Sequence, residues 1–127
     1  MRQIVSTEKA PSAIGPYSQG IIFEGRLIYT AGSISLDADS GEIVGKNVEE
    51  QTRKAILNMG KILEAAGSGI EHVVKTTVFL KDMNDFSRMN EVYTEFFEKN
   101  QPARSAVEVS RLPKDVLFEI ECLAIVP

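Results

Sequence analysis

Two segments of this chain repeat apolar residues at helical spacing while most of its other apolar runs alternate as strands do, and that mixture leaves few architectures open. In the first, Val48, Thr52, Ala55, Ile56, Met59, Ile62, Leu63 and Ala66 follow the i, i+3, i+4 rule of a helix lying on a sheet. Asn47 with Glu50 has the form of a capping box, and Gly67 supplies a stop. The second, roughly residues 84–99, stacks Phe86, Met89, Val92, Tyr93, Phe96 and Phe97 on one side, a pattern of core packing.

Strand signals surround these helices. A short Ile-Val element comes first, followed by a loop rich in Pro, Gly and Ser that ends near Ser18. GIIF, Glu24-Gly25 and RLIYTAG read as a β-hairpin with a glycine in its turn, and residues 37–41 read as a second turn. Val73 to Leu80 is β-rich, with Val74, Val78 and Leu80 on one face and Val73 and Phe79 on the other. Two alternating strands close the chain. The predicted fold is α+β, one domain over residues 1–127 with two helices on one face of a mixed sheet. Two helices cover one face only, so the other should be buried against further copies of the chain.

Charge and residue counts exclude several functions. Eighteen acidic against fourteen basic residues give a net charge of −4, and no basic run exceeds two residues, which argues against nucleic acid or an anionic membrane as a partner. One His and one Cys cannot build a zinc or redox-metal site. Cys122 reads as a small buried hydrophobe in a reduced, cytoplasmic setting, and His72 as a surface residue. No apolar stretch approaches the ~18 residues of a membrane span. Gly15, Gly20 and Gly25 are not followed by a helix, so they make no dinucleotide fingerprint.

What is left is carboxylate recognition with acid-base work. Alternation puts Arg104, Ala106 and Glu108 on one face of their strand, and Glu119 and Glu121 together on one face of the next. The short Pro-Lys-Asp turn between the strands predicts a cationic fork within one hairpin of a carboxylate, suited to a small organic acid and a proton beside it. Charged residues on strands are more often solvated or paired across the sheet. Tyr17, in the rigid Gly-Pro-Tyr loop, either closes the pocket or packs.

The strings PARSAVEV, RLPKD and EIE, with IGPYSQG at 14–20 and VKTTVFLKDMNDF at 74–86, resemble the RidA family (reactive intermediate deaminase A, also called YjgF). The resemblance covers essentially the whole chain. It implies a chorismate-mutase-like fold, a homotrimer with clefts between subunits, and cofactor-independent hydrolysis of enamines and imines such as 2-aminoacrylate to a 2-keto acid and ammonia. By the same resemblance Arg104 holds the substrate carboxylate, Glu119 positions the attacking water, and Tyr17, Gly32 and Asn90 line the pocket. Two departures bear on substrate preference. Ala106 stands where many active members have Cys, leaving only its backbone N–H to serve, and Ala31-Gly32-Ser33 replaces the common Ser-Gly-Gln. Two other functions stay open: a module that binds a keto acid or amino acid without turnover, and an endoribonuclease that inhibits translation, which the acidic charge opposes.

Overall fold

The computed structural model describes residues Met1–Pro127 and forms both helices where the caps predict them. Helix α1 spans Val48–Ala65, and the Asn47 side chain accepts from the Glu50 amide at 2.8 Å while donating to the Glu50 carboxylate at 2.9 Å. Gly67 ends it at φ +79°, with the Gly67 and Ser68 amides donating to the Glu64 and Leu63 carbonyls. Ile62, predicted for the buried stripe, is 44% exposed, because it lies beside the groove that α1 makes with residues 32–41 rather than over the sheet. Helix α2 spans Phe86–Phe97 and is entered through a one-turn 3₁₀ segment, Met83–Asp85, capped by Asp82.

The strands are β1 (Arg2–Val5), β2 (Gly20–Phe23), β3 (Arg26–Tyr29), β4 (Val73–Leu80), β5 (Ala103–Glu108) and β6 (Phe118–Val126). The main sheet has the order β3-β6-β4-β5. Its one parallel pair is β4 with β5, joined by α2 as a crossover, so the sheet is mixed. The expected β2–β3 hairpin does not form. Strand β2 pairs with β1 in a separate two-stranded sheet, because Gly25 at φ +127° sends the chain onward into the main sheet instead of back on itself.

A second expectation fails in a more consequential way. Strands β5 and β6 are not partners; β4 lies between them. The nine-residue β6 buries Phe118, Ile120, Cys122 and Ala124 completely or nearly so, and a strand that apolar gains most from a central place with partners on both edges. The largely exposed β5 takes the edge. Within β4 the alternation also slips, since a bulge between Val73 and Lys75 lets both Val73 and Val74 be buried.

Both helices cover the sheet face carrying Val78, Leu80, Phe118 and Ile120, and that interface is the core. No helix covers the opposite face. It presents Leu27, Tyr29 and Val107 at 48%, 68% and 42% exposure, with the half-buried Phe79 and Leu123 and the charged Lys75, Glu119 and Glu121. No helix is long and apolar enough to cross a membrane.

Candidate functional site

Arg104 leaves β5 opposite Thr76 of β4, whose side chain is fully buried on the helix-covered face. The register therefore sends the guanidinium toward α2, at the rim of the core. There its Nη1 donates to Asn90 Oδ1 at 2.6 Å, and its carbon lies 4.7 Å from the Tyr93 ring centroid and 5.4 Å from those of Tyr17 and Phe86. Three rings around one guanidinium make an aromatic clamp. The Gly15 turn closes it from the loop side: a Cβ on Gly15 would stand 3.2 Å from Arg104 Nη2 and 3.6 Å from Tyr17 Cδ2. This loop is pinned to the start of β5 because the Ser18 amide and hydroxyl donate to the carbonyls of Pro102 and Gln101 at 3.1 and 2.5 Å.

Arg104 has no acid partner. The ion pairs of the chain engage Arg53, Lys61, Arg88 and Arg111, with no carboxylate within 4.0 Å of Arg104. Burial lowers its pKa from the ordinary arginine value, partly offset by Tyr93 and Tyr17. A half-buried cation without a counter-ion is a costly arrangement that an arriving carboxylate would relieve.

Glu119 lies elsewhere. Strand β6 aims Phe118 and Ile120 into the core, so Glu119, opposite Phe79, points to the uncovered face. Its carboxyl group folds over the Cα of Gly32. A side chain on Gly32 would strike Glu119 Oε2 and come within 2.8 Å of its Cδ, so only glycine leaves the carboxylate where it is. The Gly32 segment is held there by paired backbone bonds between Ser33 and Ile120, at 2.7 and 3.1 Å. Burial first, and then the neighbouring Glu121 charge, holds the Glu119 pKa above the ordinary glutamate value.

The candidate residues thus form two groups. Tyr17, Asn90 and Arg104 come together on the helix-covered side, with Ala106 half-buried beside them on β5. Gly32 and Glu119 come together on the other face. The single pocket expected inside one hairpin does not exist in one chain, because β4 and a whole sheet thickness separate the two charges. Sequence reading missed Gly15, Phe86 and Tyr93 as members of the arginine clamp. Phe86 and Tyr93 were hidden in a stripe that also serves the core; the Gly-Pro-Tyr turn was the available signal for Gly15. Cys122 is buried and its thiol pKa is pushed up to about 11 by that burial, while His72 sits half-buried in a turn beside Glu71. No three His, Cys, Asp or Glu side chains gather as a metal site.

Comparison with known proteins returns one family. The model of the family described as Endoribonuclease L-PSP matches residues 7–126. A RutC family protein of Pyrococcus abyssi is 55% identical over 123 residues, 97% of this chain and 96% of that protein. The human 2-iminobutanoate/2-iminopropanoate deaminase is 50% identical over 125 residues, 98% of this chain and 90% of the human protein. Among solved structures, E. coli TdcF with bound serine superposes with a TM-score of 0.75 at 44% identity, covering 97% of this chain and 98% of TdcF.

Proposed function

The chain belongs to the Endoribonuclease L-PSP family, and from that premise we propose that it hydrolyses 2-imino acids and their enamine tautomers to 2-keto acids and ammonia, at sites shared between subunits of a homotrimer. The observation that carries this reading is the division of the charges: each chain holds an unpaired arginine in a clamp on one side and a carboxylate over a glycine on the other. The exposed apolar residues around Glu119 supply the surface through which a neighbour would bring its own arginine clamp to that carboxylate. Similarity to a deaminase and to a serine-binding protein supports an amino-acid-sized substrate.

The chemistry asks little of the protein. Arg104 pairs with the substrate carboxylate through two parallel N–H donors and fixes the adjacent C2. Glu119 of the neighbouring subunit accepts a proton from a water as its oxygen bonds to C2, and the C=N bond becomes a C–N single bond. That proton passes to the nitrogen to give the carbinolamine; the proton of the new C2 hydroxyl then moves by way of Glu119 to the nitrogen, the C–N bond breaks, and ammonia leaves as the C2 carbonyl forms. Tyr17 and Asn90 hold the arginine and wall the cleft. An imine carbon is already electrophilic, so a positioned water, an anchored anion and one carboxylate suffice.

Mixed assemblies test both halves at once. Arg104→Ala and Glu119→Gln chains, each inactive alone when coupled to a threonine dehydratase reaction, should recover about a quarter of the parental rate when co-assembled in equal amounts, since a site needs one good half from each of two neighbours. Absence of recovery from properly assembled mixtures would place the site within one chain.

A further inference from the structure

Tyr93 is the ring nearest the guanidinium, yet it is fully buried, and a phenylalanine would fill the same space without bringing a polar group into the core. Its hydroxyl shares a 2.7 Å hydrogen bond with Thr76 Oγ1, itself fully buried. Thr76 is also the residue of β4 that stands directly opposite Arg104 in the parallel register. The contacts therefore close a loop: the strand neighbour of the arginine grips the tyrosine on which the arginine lies. Phe97, with its ring 4.5 Å from that of Tyr93 at a 31° tilt, backs the ring from the core side.

We propose that Tyr93 and Thr76 are positioning residues, a tethered floor that holds the Arg104 guanidinium in the orientation that receives the substrate carboxylate. Asn90 restrains the guanidinium from its edge, and Tyr93 restrains it from its face. A long side chain fixed on two sides loses little freedom when an anion arrives, which lowers the entropic cost of binding. The inference rests on the assignment of Arg104 as the carboxylate anchor.

The test measures KM and kcat with 2-iminobutanoate generated in place by a threonine dehydratase, together with direct binding of 2-oxobutanoate. Thr76→Val/Tyr93→Phe removes both ends of the buried hydrogen bond while keeping shape, so it should melt close to the parent temperature. If the floor positions the arginine, this variant should still show KM and the 2-oxobutanoate Kd raised about threefold, with kcat nearly unchanged. Tyr93→Leu, which also removes the ring face, should raise both about tenfold. A double variant that recovers binding along with stability would reduce the pair to core packing and overturn the proposal. Arg104→Ala separates this from the underlying reading: parental binding of 2-oxobutanoate without Arg104 would overturn the anchor and, with it, the floor.

Discussion

The two sides of the main sheet solve opposite problems. On the helix-covered side Arg104 is enclosed by rings, tied to Asn90 and left without a counter-ion. On the uncovered side Glu119 has a neighbouring acid, a glycine beneath it and a raised pKa, with exposed apolar residues around it. In the proposed reaction the first arrangement binds the carboxylate and the second exchanges the proton. A fixed cation is served by close packing on several sides, whereas a base needs a site that water can reach. Dividing them between faces lets one chain supply both without the two charges neutralising each other.

Substitutions that distinguish the two sides sharpen this contrast. The largest effect is expected from Glu119→Gln, which keeps the shape but cannot take a proton and should lower kcat about 10²- to 10⁴-fold while keto-acid binding persists. Gly32→Ala should imitate it in a folded protein, because the new methyl displaces the carboxyl group without touching Arg104. Equal losses of rate and binding in Glu119→Gln would erase the division of labour.

Arg104→Lys comes next. A point charge replaces a two-pronged fork, and a charge-assisted pair is worth roughly 1.5 to 3 kcal/mol, so kcat/KM should fall about tenfold or more. Near-parental kinetics would mean that the carboxylate binds elsewhere. A smaller effect is expected at Glu121, whose charge helps raise the Glu119 pKa. Glu121→Gln should move the acidic limb of the rate profile to lower pH, because less repulsion eases ionisation of Glu119; a shift upward would contradict the pairing. The stability sign agrees. A carboxyl group with a raised folded pKa loses stability as pH rises from its unfolded value through the folded one, and Glu119→Gln should remove that loss in melts across the acidic range. The mildest change is Ala106→Cys, expected to fold normally and alter the rate less than about threefold, since the proposed reaction uses no thiol. A gain of several orders of magnitude would show that the arginine side needs the thiol.

Much of this was legible in local pattern. Asn47 and Gly67 mark the ends of α1 because caps depend on a few neighbouring residues. The Phe86 to Phe97 stripe marks the buried face of α2 because periodicity is also local. Arg104, Glu119, Tyr17, Gly32 and Asn90 were found as candidates through their motifs. The β2–β3 hairpin and the β5–β6 pairing misled for a shared reason: turn residues tell where a chain bends, and only the competition for burial tells which strand it then joins.

Alternation along each strand determined that Arg104 shares a side with Ala106 and that Glu119 opposes Phe118 and Ile120. It could not determine how the sides of one strand relate to those of another. That relation was decided when β6, the most apolar strand, took a central position and β5 crossed over through α2 to pair in parallel with β4. Strand order depends on contacts between residues far apart in the chain, and those are settled by which arrangement buries the most apolar surface while pairing every backbone group. The candidate residues were therefore named by the sequence, whereas their separation onto opposite faces of the sheet belongs to the tertiary structure alone.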